Sequence, residues 1–152
     1  MIIEFKREFQ AELEKFFEIV LAKRGWKFEP EGKHSIIRNI EAEFCSNRGG
    51  FWLYTMDDRI IGTIALRQID KSNNIGEIKS MYVLPNYQGK GYGKELLTYT
   101  LGQAKNLGYE YVRLDTTLDS ERAIKLYKMA GFYEIERYNE NKTAELFMEI
   151  MI

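Results

Sequence analysis

The chain reads as an α/β protein, a mixed sheet with helices on its faces, in the order β-α-α-β-β-β-α-β-α-β-β. Three observations carry this. Segments with apolar residues at helical spacing alternate with short β-branched and aromatic runs. The stretch from Glu77 to Thr116 reads as strand, glycine-rich turn, helix and strand, which makes its two strands parallel neighbours. Before it, two strand-like runs meet at Asp57-Asp58, too short a link for anything but a hairpin. A largely antiparallel front half joined to one βαβ unit gives a mixed sheet.

The elements follow in order. Ile2–Phe5 is a short first strand. Phe9, Leu13, Phe16, Phe17, Val20 and Leu21 make the apolar stripe of a helix that Gly25 stops. Trp26–Lys33, with Pro30 and Gly32, is a loop. His34–Phe44 is a second helix with Ile36, Ile37, Ile40 and Phe44 inward. Phe51–Met56 and Ile60–Ile69 form the hairpin, Lys71–Asn74 a polar turn, and Glu77–Val83 the next strand. Gly91–Leu107 is the long helix, facing Leu96, Leu97, Leu101, Ala104 and Leu107 to the core. Tyr111–Thr116 is a strand, and Ser120–Met129 a helix that Ser120 is expected to cap. Phe132–Tyr138 and Ala144–Ile150 are a closing strand pair.

A chain of 152 residues fits one domain, 1–152, with room for a core. At 45% hydrophobic and 30% charged residues it is not a disordered chain. A net charge of -1 argues against a dedicated nucleic-acid binder, so no direct nucleic-acid partner is expected. Cys45 is the only cysteine, which excludes an intramolecular disulfide. Glu4 and Glu8 interrupt the N-terminus, and no stretch has the apolar length to span a bilayer. The expectation is a cytoplasmic protein without a membrane partner.

Function concentrates in Pro85-Asn86-Tyr87-Gln88-Gly89-Lys90-Gly91-Tyr92-Gly93, between a strand and a helix. Backbone N–H groups at such a helix start can hold a phosphate. The loop is not a Walker A sequence, because Gly89-Lys90 is followed by glycine and the upstream glycine is missing. It is not a Rossmann fingerprint either: Gly89, Gly91 and Gly93 give GxGxG, and Leu84–Tyr87 separate it from its strand. By themselves the glycines also fit a turn that needs left-handed residues and nothing more.

Gln88, Gly91 and Gly93 match the [Gln/Arg]-x-x-Gly-x-[Gly/Ala] pattern, and the loop resembles the acetyl-CoA pyrophosphate loop of the GCN5-related N-acetyltransferases (GNAT). Downstream, Ala123-Ile124-Lys125-Leu126-Tyr127-Lys128-Met129-Ala130-Gly131-Phe132 is similar to that family's Ala-x-x-Leu-Tyr-x-x-x-Gly-Phe segment. The resemblance covers roughly residues 51–150 and implies a GNAT-like fold, acetyl-CoA as cofactor and acetyl transfer to a primary amine by direct attack in a ternary complex. It implies that Gln88, Gly89, Lys90, Gly91, Tyr92, Gly93 and Lys94 form the pyrophosphate clamp, and that the backbone of Met81, Tyr82 and Val83 pairs with the pantetheine arm in a splay between parallel strands. It also implies Tyr127 as the acid that protonates the departing thiolate. Glu77, a carboxylate among isoleucines, is the candidate base, its pKa expected to be raised by burial, or alternatively a site for the substrate ammonium. Where the family often has an asparagine that contacts the cofactor arm, this chain has Ser120, which the resemblance places as a cofactor-binding residue able to hydrogen-bond there.

Weaker candidates surround these. His34 lacks metal-ligand partners at motif spacing and reads as a surface or helix-end histidine. Arg113 and Asp115 share a strand face; Phe28, Trp52, Tyr138 and Asn139 are candidate walls for the acceptor. The acceptor is an amine on a small molecule or on a peptide or protein, and a homodimer is compatible with the family. The competing function is a non-catalytic acyl-CoA-binding regulatory module.

Overall fold

A computed structural model describes residues 1–152. Strands β1 (Ile2–Glu4), β2 (Gly50–Met56), β3 (Arg59–Asp70), β4 (Ile75–Val83), β5 (Tyr111–Thr116), β6 (Tyr133–Ile135) and β7 (Leu146–Met151) form one sheet, ordered β1-β2-β3-β4-β5-β7-β6. The helices are α1 (Gln10–Lys23), α2 (Ile40–Phe44), α3 (Tyr92–Asn106) and α4 (Glu121–Ala130). Only β4 and β5 pair in parallel, and α3 is the crossover between them. The expected element order therefore holds, and no helix is long and apolar enough to cross a membrane.

Local chemistry accounts for most boundaries. In α1, Leu13, Phe16, Phe17, Val20 and Leu21 are buried, a spacing that keeps one stripe inward. Asp57 and Asp58 both take positive φ, as the two-residue hairpin between β2 and β3 requires, and aspartate tolerates that region better than most side chains. Three boundaries differ from expectation. The segment expected as one helix over His34–Phe44 is a 3-10 turn at Ser35–Arg38 and a five-residue α2, broken at Asn39. Its β-branched isoleucines bury singly instead of forming a continuous stripe. β6 spans three residues, because from Glu136 onward the chain leaves the sheet to reach the middle of its face. Ser120 sits at the N-cap position of α4 without capping it, since its hydroxyl is engaged by Arg24.

Two faces of the sheet matter below. Thr63 is opposite Tyr82, whose ring meets Phe17 of α1 edge-on at 5.7 Å. Gly62 is opposite Val83, and a Cβ at Gly62 would meet Leu96 of α3. Thus α1 and α3 cover opposite faces. In β4 a bulge intervenes: Ala65 pairs with Lys79 while Thr63 pairs with Tyr82, so β4 carries one extra residue. Ser80 takes φ 53° there, and its carbonyl accepts a 2.7 Å hydrogen bond from buried Thr63. The bulge keeps Glu77, Lys79 and Tyr82 on the α1 face and turns Met81 and Val83 to the α3 face.

Candidate functional site

β4 pairs with β5 only at Ile75–Glu77 against Tyr111–Arg113. Beyond Glu77 the two strands part, leaving six residues of β4 without a strand on that side. An internal strand edge with unpaired backbone groups is a ready partner for an extended ligand. The splay has its closed end at Glu77 and Arg113, and it opens toward the glycine turn.

At the open end the chain makes a 3-10 turn at Pro85–Tyr87 and enters α3 through Gly91. Gly91 has φ 97°, and no side chain caps the helix. The first N–H groups of α3 are thus free for an anion, which the helix dipole favours. A Cβ on Gly91 would meet nothing within 4 Å. Gln88 borders this space, but its Nε2 is spent on the Val83 carbonyl at 3.0 Å, which pins the turn to the strand end.

A cavity of about 720 Å³ runs from this turn into the splay. Met81, Tyr82, Val83, Gln88, Gly89, Gly91, Gly93, Lys94 and Ser120 line it, joining the expected cofactor positions in one space. Lys90 and Tyr92 lie outside it. The Lys90 ammonium sits 5.7 Å from the ring of Tyr87, and Tyr92 packs edge-on against Tyr54 at 5.0 Å, so Tyr92 supports the turn from behind. Sequence reasoning passed over Lys23, Arg24, Arg122 and Lys125, which bring the lining to five cations against two carboxylates. Arg24 crosses from the end of α1 to Ser120 Oγ at 2.9 Å and Thr117 Oγ1 at 2.6 Å, closing one wall. No local pattern flags it, because its partners are more than ninety positions away. A cationic mouth, an uncapped helix start and a narrow unpaired strand fit a polyphosphate carrying an extended arm.

Tyr127 is buried on the α3 face of the slot, with its hydroxyl 3.6 Å from Met81 Sδ and its ring edge-on to Phe132. Burial pushes its hydroxyl well above the usual tyrosine range, with Tyr82 and Asp115 adding to the shift, so the proton stays on at neutral pH. Glu77 lies on the opposite face, enclosed by donors. Oε1 accepts from Arg67 Nε at 3.0 Å and Nη2 at 2.9 Å; Oε2 accepts from the Tyr138 hydroxyl at 2.6 Å and Asn139 Nδ2 at 3.3 Å. Asp115 is enclosed likewise by Lys79 at 2.9 Å, Asn139 at 2.6 Å and Asn141 at 3.1 Å. The loop after β6 is thereby clipped onto both carboxylates. Burial and the neighbouring Glu77 push the Tyr138 hydroxyl far up, so it remains a donor.

Among the weaker candidates, Tyr138, Asn139, Arg113 and Asp115 gather here, whereas Trp52 does not. Trp52 is core, edge-on to Tyr99 of α3 at 5.7 Å. His34 Nδ1 accepts from the Glu29 N–H at 2.8 Å and holds its loop. Glu77→Gln is expected to lower stability by about 2–3 kcal/mol, because Arg67 and Lys79 lose a buried countercharge while keeping some access to water. A thermal melt should record a fall of roughly 5–10 °C.

A family model described as the acetyltransferase (GNAT) family matches residues 9–132. N-acetyltransferase 8 of Mus musculus is 30% identical over 137 residues, covering 86% of this chain and 56% of the mouse protein. A GNAT-family acetyltransferase from Staphylococcus aureus Mu50 superposes with a TM-score of 0.88 at 27% identity, over 98% of this chain and 96% of that one. YncA of Salmonella typhimurium, solved with its cofactor acetyl-CoA, shares the fold with a TM-score of 0.73 at 16% identity, over 99% of this chain and 92% of its own. The chain spans about half the length of the curated relatives it matches.

Proposed function

This chain belongs to the GNAT acetyltransferase family, and from that premise we propose that it moves an acetyl group from acetyl-CoA to a primary amine by direct attack in a ternary complex. The observation that carries the reading is the cavity that joins the uncapped start of α3 to the unpaired edge of β4. The α3 N–H groups, with Lys94 and Arg122, hold the pyrophosphate. The backbone of Met81–Val83 holds the arm, and Ser120 and Arg24 close the wall beside it. Acetyl-CoA supplies an acetyl thioester, activated toward a nitrogen nucleophile.

The arm enters at the turn and runs down β4, so the thioester end belongs near Lys79–Met81, where the strands converge. The α3 face is taken by the donor, so the acceptor approaches from the α1 face. Glu77 is on that face and takes the ammonium proton by way of the Tyr138 hydroxyl, which already donates to Oε2. Tyr127, across the slot, gives its proton to the sulfur as the C–N bond forms and the C–S bond breaks. The proton that the nitrogen sheds on becoming an amide restores the phenol. Cys45 is exposed and lies outside these elements, so no acyl-enzyme is assigned.

Acetyl-CoA at saturation is expected to raise the melting temperature by several degrees, and a panel of primary amines should release free CoA. No shift with acetyl-CoA would overturn the reading. A shift without CoA release from any amine would favour the regulatory module. In Glu77→Gln the rise of rate with pH is expected to flatten, and an unchanged profile would remove Glu77 from the proton path.

A further inference from the structure

We infer that the acceptor amine carries a carboxylate, recognised by Arg67 and Arg113 on the α1 face of the sheet; this rests on the acetyl-transfer reading above. Register places Arg67, Glu77, Arg113, Glu149 and Tyr133 directly opposite one another across β3, β4, β5, β7 and β6. The result is one row of alternating charge at the closed end of the slot, where the thioester end belongs. Arg67 Nε and Nη2 bind Glu77, and Arg113 Nε binds Glu149 Oε2 at 2.8 Å.

The charges balance in number and not in exposure. Side-chain exposure is 1% for Glu77, 7% for Asp115 and 12% for Glu149, against 31% for Arg67, 21% for Lys79 and 27% for Arg113. Anions lie beneath and cations on top. The unspent groups are also donors: Arg67 Nη1 and both terminal nitrogens of Arg113 have no acceptor, while the Glu77 and Asp115 oxygens are all occupied. Arg113 is held in place over the ring of Tyr138 at 5.2 Å. A polyamine approaching the closed end of the slot meets cations and finds the Glu77 and Asp115 carboxylates already occupied; Asp70, held by Asn73, lies at the far end of β3. An amine bearing a carboxylate meets two guanidinium edges flanking the reaction centre, the geometry that suits a carboxylate best.

The test measures CoA release for matched acceptors: leucine, phenylalanine and lysine, each against its carboxamide, with spermidine and putrescine alongside. Rates are compared per free amine, since the amide lowers the amine pKa. Each acid is expected to exceed its amide in kcat/KM by about tenfold or more, the discrimination expected of a charge-assisted pair. Arg113→Gln should shrink that ratio toward unity, and Arg113→Lys should restore part of it. Amides or polyamines matching or exceeding the acids would overturn the inference and leave acetyl transfer standing. CoA release from no amine at all would overturn acetyl transfer, and the inference with it. Should Arg113→Gln not fold, the wild-type acid-to-amide ratio alone decides.

Discussion

Gly91→Asp is expected to abolish measurable acetyl-CoA binding while the protein still folds. Gly91 stands at the start of α3 with φ 97°, a region in which aspartate is among the better tolerated side chains. Its Cβ opens into empty space, so nothing in the fold has to move. The strain costs about 1 kcal/mol, or a few degrees in a melt, and is partly offset because a carboxylate suits a helix N-terminus. That same carboxylate occupies the place of the pyrophosphate and opposes it in charge. Juxtaposed like charges cost several kcal/mol, so the dissociation constant should rise about a hundredfold or more. Calorimetric titration measures this, with Gly91→Ala as the uncharged control, which should lose less. A dissociation constant for Gly91→Asp within about threefold of the wild type would mean that the anion is not held at this helix start.

Tyr127→Phe should lower kcat by about a hundredfold and leave acetyl-CoA affinity unchanged. The phenol is buried against Met81 and Phe132, and the substitution preserves that packing. Its hydroxyl meets only a thioether sulfur at 3.6 Å, a weak partner, so stability should move by less than about 1 kcal/mol. What is lost is a proton donor beside the sulfur, and general acids contribute about 10²-fold or more. Because burial drives the Tyr127 hydroxyl far above neutral pH, it stays protonated across the working range. The loss should therefore appear as a uniform drop in rate and not as a shifted pH profile. Turnover within about threefold of the wild type would show that the thiolate leaves without this proton.

The turn and its surroundings divide by how far apart the interacting residues are. Gly91 and Gly93 were legible because the demand on them is local: a left-handed residue and a close approach at a helix start. Tyr127 was legible only through the resemblance of the contiguous Ala123–Phe132 segment to a family motif, most of which lies on α4. Glu77 was legible as an oddity, a carboxylate in an apolar strand, but its meaning was not. The structure encloses that carboxylate with Arg67, Lys79, Tyr138 and Asn139, contributed by three separate segments, and the local sequence around Glu77 announces none of these contacts. Ser120 as a helix cap and Trp52 as an acceptor wall failed for the same reason, since Arg24 and Tyr99 approach them from distant elements.

By itself the sequence determined the order of elements, the parallel unit and the glycine turn, because helix periodicity, turn conformations and a contiguous loop are written within a few residues of one another; the family was legible through the resemblance of two short segments to its motifs. Only the tertiary structure decided that β4 and β5 part after Glu77, that the Ser80 bulge keeps Lys79 and Tyr82 on one face, and that cations overlie anions at the closed end of the splay. Each of those depends on strand register, and register is set by the packing of the whole sheet, not by the residues that it brings face to face.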